Sequence, residues 1–252
     1  MLHRLRRNLL DLVSDTPVER FLRAAYARLN VKAADTDRRL AELIRSELKT
    51  DSNCIDIGCY RGQILREIVR AAPLGSHMAF EPVPANCSYL RTSFPGVDIR
   101  CGALSDQVGE SNFNYVRGRP ARSGLLRLTY PDPDEVVEEI RVQVTTLDRA
   151  LTPGARVDFV KIDVEGAELR VLRGGQQFLR DQHPTLVFEH TARVADAYGA
   201  SSNDIFDLLH GLAYELTALN PEVASGPLSR ELFVDLAARA ETDYVARHAR
   251  SR

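Results

Sequence analysis

No run of about 18 uninterrupted apolar residues occurs in this chain, so a membrane-spanning helix is not expected. A basic stripe is missing too. Lys and Arg number 33 against 35 Asp and Glu, and the formal net charge of −2 argues against a nucleic-acid partner. The opening Met1-Leu2-His3-Arg4-Leu5-Arg6-Arg7 is charged, but no signal-peptide apolar core follows it. Cysteines are few, and Cys54, Cys59, Cys87 and Cys101 lack metal-site spacing. They read as small core residues in a reducing, cytoplasmic setting. Internal repeats and low-complexity linkers are absent. What remains, 252 residues at 44% apolar content, is enough for one full-sized core and fits a single α/β domain.

The stretch that organises the chain runs from Asn53 to Leu65. Cys54, Ile55 and Ile57 form a short apolar strand, Gly58 and Gly62 a turn, and Ile64, Leu65, Ile68 and Val69 one face of a helix. Glycines at such a turn let a ligand approach the backbone, and the helix N-terminus adds unpaired N–H groups. The pattern Asp-x-Gly-x-x-x-Gly, from Asp56 to Gly62, is not the Gly-x-Gly-x-x-Gly of a dinucleotide site. Asp56, placed at the turn, would repel a pyrophosphate but welcome a sulfonium cation carrying an amino acid. The pattern therefore resembles the motif of S-adenosylmethionine (SAM) dependent methyltransferases.

Residues 1–50 read as an N-terminal helical extension, and 51–252 as the main domain. The extension holds 11 Lys and Arg against 7 Asp and Glu. Leu2, Leu5, Leu9 and Leu12 fall at helical spacing, Thr16-Pro17-Val18-Glu19 reads as a capping box, and a third helix is expected from Asp37 to Leu48. Such a prefix is either a helical layer on the sheet or against a second subunit, giving a homodimer, or else a peripheral membrane foot or substrate lid.

After the glycine turn, His77 to Pro82 forms a second strand ending in Glu81, placed to accept both ribose hydroxyls of an adenosine. Pro82 stops the strand, and a helix follows from Asn86 to Phe94. Val97 to Asp106 is a third strand and turn, with Ala103 and Leu104 as an adenine wall and Ser105 or Asp106 near its amine. Ser111–Val116 and Ile140–Thr145 alternate like antiparallel strands. Between them the loop bearing Arg119, Arg122 and Ser123 is either a clamp for an anionic substrate group or a solvated loop.

The second informative stretch is Val157 to Glu168, an apolar strand ending in Asp163 and Glu165. Two carboxylates there can cap a helix, hold a divalent cation such as Mg²⁺, or accept a proton. Thr185 to His190 is a further strand, ending in Glu189 and His190; the imidazole is either a structural residue or a base. An amphipathic helix at Asn203–Leu212 precedes Tyr214–Leu219 and Asp243–His248, a strand pair closing the sheet with one member antiparallel. Leu232–Ala240 is either strand or helix.

Four stretches in this order are similar to the FkbM-type SAM-dependent methyltransferases: Asp56–Gln63, Phe80–Asn86, Thr145–Asp148 and Ile162–Glu168. Ser123-Gly124-Leu125 is a loose match to a family serine motif, and Tyr244-Val245-Ala246 is similar to the family's last strand. Cys59 and Tyr60 depart from the usual small residue and Asn, without touching the glycines or Asp56. The resemblance implies a class I, Rossmann-like, doubly wound and mostly parallel sheet of seven strands. It also implies SAM as cofactor and O-methylation of a small-molecule hydroxyl acceptor, a sugar or polyketide. Cofactor binding falls to Asp56, Gly58, Tyr60, Gly62, Glu81 and Pro82, with Ala103, Leu104 and Asp163. Catalysis falls to Asp163 first, then Glu165, His190 and Glu189. The rivals are a nucleotide-binding oxidoreductase, disfavoured by glycine spacing, and a catalytically silent SAM-fold module.

Overall fold

The computed structural model describes residues 31–118, 122–128, 135–152, 154–240 and 243–249. The leucine-spaced segment and the capping box of the prefix lie outside them. The third expected helix is there and starts earlier than Asp37: α1 spans Val31–Glu47. Its register follows from Leu40, Leu43 and Ile44, which share one face. Leu40 and Ile44 are buried with Cys54, Ile68, Phe159, Val187 and Val245, so α1 lies against one face of the sheet. Its C-terminal residue is tied down as well, with Glu47 accepting from the Arg247 guanidinium at 2.8 Å and from the Thr185 hydroxyl at 3.3 Å.

The main-sheet strands are β1 (Cys54–Ile57), β2 (His77–Glu81), β3 (Asp98–Cys101), β7 (Phe159–Ile162), β8 (Thr185–Glu189), β9 (Tyr214–Ala218) and β10 (Asp243–His248). Their order is β3-β2-β1-β7-β8-β10-β9. The first five are mutually parallel, while β10 runs antiparallel between β8 and β9. All four residues of β1 and of β7 are buried, as parallel strands covered on both faces must be. Helix α2 (Gln63–Ala71) packs on β1 and β7 through Ile68, and α3 (Pro84–Ser93) on β2 and β3 through Cys87 and Leu90; both helices are expected from the sequence. The strand order reverses between β1 and β7, which is where open α/β sheets form a ligand crevice.

Register decides what meets at that crevice. Ile57 is opposite both Phe80 and Ile162, and Ile162 is opposite Phe188. One residue further on, Glu81, Gly58, Asp163 and Glu189 therefore stand in one row at the carboxyl edge. Asp243 of β10 extends that row, paired directly with Glu189.

A second sheet of order β4-β6-β5 covers one flank. Its strands β5 (Gly109–Val116) and β6 (Val137–Thr145) pair antiparallel as the alternation predicts, while β4 (Ala103–Leu104) joins β6 in parallel. The short helices α4 (Leu147–Ala150), α5 (Glu168–Arg173), α6 (Gln176–Gln182) and α7 (Ala192–Ala197) follow. Of these, α4, α6 and α7 carry too few turns to show a period in sequence. Helix α8 (Ser202–Gly211) opens with a complete capping box between Ser201 and Asp204. The ambiguous segment at 232–240 is helical: α9 spans Arg230–Ala238, with the Ser229 hydroxyl accepting from the Leu232 N–H. Among the described residues no helix is long and apolar enough to cross a membrane.

The reading of four separate core thiols is corrected. Cys87 and Cys101 form a disulfide, and only Cys54 and Cys59 are unpaired and buried. Their separation of 14 residues carries no sign of this. The pairing arises because α3 packs beside the edge strand β3, and the argument for a reducing compartment loses that support.

Ile44 is fully buried between α1 and the sheet. Ile44→Ala is expected to lower the unfolding free energy by about 2–5 kcal/mol, the range for deleting a buried aliphatic side chain. Denaturant titration of the full chain checks this; a change below about 0.5 kcal/mol would show that α1 does not belong to the cooperative unit.

Candidate functional site

The turn after β1 is built on left-handed backbone. Gly58 has φ +78°, Tyr60 +48° and Gly62 +72°. A side chain at Gly58 would put its Cβ 1.8 Å from the carbonyl oxygen of Asp163, so glycine is what lets the tips of β1 and β7 touch. At Gly62 a Cβ would lie 2.5 Å from the Phe94 ring. The Gly58 N–H donates to the Phe80 carbonyl at 2.9 Å, which draws the turn against the end of β2.

Glu81 ends β2 and is buried, yet well held. One carboxylate oxygen accepts from the Val83 N–H and the Asn86 side-chain amide, both at 3.0 Å; the other accepts from the Tyr60 N–H at 2.9 Å. Burial pushes its pKa up to about 7, against these hydrogen bonds. A carboxylate has about four acceptor sites, so capacity remains for a hydroxyl donor. Pro82, half-buried, follows it directly.

Asp56 is not at the turn, as its motif position suggests, but inside β1. It is fully buried, and neither carboxylate oxygen has a hydrogen-bond partner. Burial pushes its pKa up to about 6. The nearest cation is Lys161, directly opposite in register, with Nζ 3.9 Å from Asp56 Oδ1. Sequence reasoning passed over Lys161, although a lysine within an apolar strand needs a buried partner and that signal was available. Its Nζ also donates to Asp163 Oδ2 at 2.9 Å. Burial disfavours the ammonium, but Asp163 and Asp56 outweigh it and hold the lysine pKa above its usual value. A second residue missed is Asp37 on α1. Its Oδ2 accepts from Gln63 at 3.0 Å, and burial raises its pKa while Lys161 draws it down.

Beyond Asp163 the chain turns sharply, with Glu165 at φ +54° and Gly166 at +101°. Glu168, 1% exposed, holds this turn by accepting from the Val164 and Gly166 N–H groups at 3.2 and 3.0 Å. Glu165 and Glu189 are half-buried neighbours in electrostatic contact. Burial, then the charge of Asp163, pushes each up to about 9.

His190 does not join this group. Being one residue beyond Glu189 it points to the other face of the sheet. There it is 1% exposed, 2.8 Å from the Ser202 hydroxyl and stacked on Phe233. Burial pushes its pKa down to about 4, so the imidazole is neutral at pH 7. The adenine-wall pair is placed differently from a turn. Ala103 and Leu104 are buried in β4 with their backbone engaged with β6, and Leu104 belongs to the main core. Ser123 is buried, its hydroxyl accepting from the Val116 N–H at 3.0 Å. The same loop is fastened to the helical side, where the Leu126 N–H donates to the Tyr198 hydroxyl at 3.1 Å. Arg122 is half-buried, and Arg119 lies outside the described residues. The Mg²⁺ expectation at Asp163 and Glu165 finds no support: no group of three or more His, Cys, Asp or Glu among the described residues is placed to hold a metal ion.

A seven-stranded sheet with one antiparallel strand, a glycine turn at the switch point and a held carboxylate at the tip of β2 define the class I methyltransferase fold. The particular family follows from sequence. The chain belongs to the FkbM methyltransferase family, since the model described as "Methyltransferase FkbM domain" matches residues 56–216. "Methyltransferase 1" of Beauveria bassiana (strain ARSEF 2860) is 27% identical over 170 residues, covering 59% of this chain and 67% of that protein. Among solved structures, an FkbM methyltransferase from Methylobacillus flagellatus KT has a TM-score of 0.47 at 15% identity, covering 79% of this chain and 44% of that one. The plantazolicin methyltransferase BpumL, in complex with a triazolic desmethylPZN analog and SAH, has a TM-score of 0.48 at 12% identity, covering 98% and 97%. The protein is thus a SAM-dependent methyltransferase.

Glu81→Ala is expected to weaken binding of S-adenosylhomocysteine (SAH) at least roughly tenfold, since hydrogen bonds to a charged acceptor contribute about 1.5–3 kcal/mol. Unchanged affinity by titration calorimetry would remove the ribose role.

The carboxyl pair sets a pH signature. A carboxyl whose pKa is raised on folding stabilises the fold below its unfolded value of about 4.5, and loses that contribution as pH rises toward the folded value of about 9. The melting temperature of the ligand-free protein should therefore fall between pH 5 and pH 9 relative to Glu165→Gln. Parallel curves in differential scanning calorimetry would show that Glu165 is not perturbed.

Proposed function

We propose that the protein transfers a methyl group from SAM to a hydroxyl oxygen of a small molecule, a sugar of a glycan or glycolipid or a polyketide-type product. The observation that carries this reading is the Lys161–Asp163 contact of 2.9 Å at the carboxyl edge, beside the Gly58 turn. The residues suit the cofactor. Gly58, Tyr60 and Gly62 form a turn on left-handed backbone and Glu81 offers a fixed carboxylate to a diol, while Asp56, fully enclosed in β1 with Lys161 at 3.9 Å, adds negative charge without touching the ligand.

When bound, SAM supplies an electrophilic methyl group whose bonding pair stays with sulfur. The chain's own part is to place the acceptor and take up its proton. A sugar hydroxyl is a weak nucleophile at pH 7, so a nearby base raises the rate, and positioning contributes as much. Asp163 is that base. Lys161 bonds Oδ2 and keeps the carboxylate in place, and Oδ1 takes the hydroxyl proton as the new C–O bond forms. Proximity carries much of the effect. His190, neutral and enclosed on the other face, has no part in the transfer. Glu165 and Glu189 flank the acceptor, with the loop of Arg122 and Ser123 closing the far side.

Asp163→Asn is expected to lower kcat by roughly 10²–10⁴ in an assay of SAH release with hydroxyl acceptors. Its melting temperature should fall, because Lys161 keeps only Asp56 as a counter-charge, so turnover is compared at a temperature where both proteins are folded. Full turnover by this variant would overturn the assignment of the base.

A further inference from the structure

The Cys87–Cys101 disulfide joins the first turns of α3 to the edge strand β3, and both of its halves lie against Glu81. In the β2–β3 register Cys101 stands directly opposite Glu81. Cys87 Sγ is 3.1 Å from the Glu81 carbonyl oxygen, which also accepts from the N–H of Gly102, the residue after Cys101, at 3.1 Å. On the other flank Asn86, the residue before Cys87, donates its amide to Glu81 Oε1 at 3.0 Å. Val83, at the start of the same helix, donates its N–H to that oxygen at 3.0 Å. Two of the three donors to this carboxylate therefore depend on where α3 begins. They count for much, because burial opposes ionisation of Glu81 and the Val83, Asn86 and Tyr60 bonds counter it. The bridge is open to reagents from one side: Cys87 is fully buried, but Cys101 is exposed on the outermost strand.

We infer that this disulfide is a redox-sensitive clamp on the cofactor site, holding the start of α3 so that Asn86 and Val83 fix Glu81, and that its reduction weakens cofactor binding. This rests on the ribose role of Glu81 given above and adds its regulation. In the exchange, one thiolate of a small dithiol attacks the Cys101 sulfur, and the Cys87 sulfur leaves with the bonding pair and takes a proton from water. The second thiolate of the reagent then attacks the mixed disulfide and releases Cys101, which is protonated in turn. Two protein thiols replace one S–S bond, and the dithiol is oxidised to its own disulfide. Without the cross-link α3 keeps its packing through Leu90, but its first turns and β3 are free to shift against each other. A binding group that must be ordered as the ligand arrives costs affinity. Asn86 and the two cysteines are thus positioning residues, acting on the ligand through Glu81.

Two preparations of the full chain test this, one treated with glutathione disulfide and one with dithiothreitol, each desalted under nitrogen. Alkylation in denaturant after an acid quench should find two free thiols in the first, Cys54 and Cys59, and four in the second. In titration calorimetry SAH should bind at least about fivefold more weakly to the reduced form, the cost of fixing a loosened binding group. Reoxidation should restore the affinity, and Cys101→Ser should bind like the reduced form after either treatment. In Asn86→Ala the redox difference in SAH affinity should shrink below about twofold, while the redox difference in melting temperature, which reports the cross-link itself, should remain. Four free thiols after oxidation, equal affinities of the two forms, tighter binding by the reduced form, a difference that survives Asn86→Ala, or a reduced form that has unfolded would each overturn the inference. If Asn86→Ala does not fold, the two wild-type forms and Cys101→Ser decide the matter alone. Unchanged SAH affinity in oxidised Glu81→Ala would instead remove the ribose role, and this inference with it.

Discussion

A buried ammonium between two carboxylates sits at the centre of this protein. Lys161 is 8% exposed and lies between Asp163 and Asp56, the latter fully enclosed. None of the three is stable there alone, because an isolated buried charge loses several kcal/mol of hydration. Together they require β1 and β7 to be neighbours in the register that sets Asp56 opposite Lys161. That adjacency is also the switch point of the sheet, so the constraint that stabilises the charges creates the crevice they serve. Gly58 completes the arrangement, since any side chain there would collide with the Asp163 carbonyl.

The walls of the crevice come from distant parts of the chain. Helix α1 covers the same face of the sheet as Asp56 and Lys161 through Leu40 and Ile44, and brings Asp37 to Gln63 at the start of α2. On the other side, Ser123 and Tyr198 pin one loop to two elements, accepting from Val116 and Leu126. Gly166 is needed beneath that contact, for its Cβ would lie 2.7 Å from Val194 and 3.0 Å from Tyr198. These elements thus close over one floor, the row of strand tips.

Charge along that floor divides the work. At Glu81 three N–H donors fix a single carboxylate, which suits recognition of a neutral diol. Toward β8, burial and then the charge of Asp163 raise the pKa values of Glu165 and Glu189.

Much of this was legible in the residues. The apolar run Cys54–Ile57 with its glycines, the strand ending in Glu81, and the Asp163–Glu168 segment announce strands, turn and carboxyl-edge acids, because period and glycine spacing are local properties. The seven-stranded fold followed from their order together with the family resemblance. Other features belong to no local pattern. The segment at 232–240 became a helix through the Ser229 cap and the packing of Phe233 and Leu236, which no periodicity over so few residues separates from a strand. His190 and Glu189 are adjacent in sequence yet serve opposite faces, and the pleat sends the imidazole into the core. Lys161, inside an apolar run, signals a buried partner, but only register identifies that partner as Asp56. The disulfide joins residues whose spacing predicts nothing. Sequence alone determined which residues form strands and which acids stand at their ends. Tertiary structure decided which of those acids face one another and which cation they share, because side-chain electrostatics depends on through-space distance, and only strand order and register set that distance.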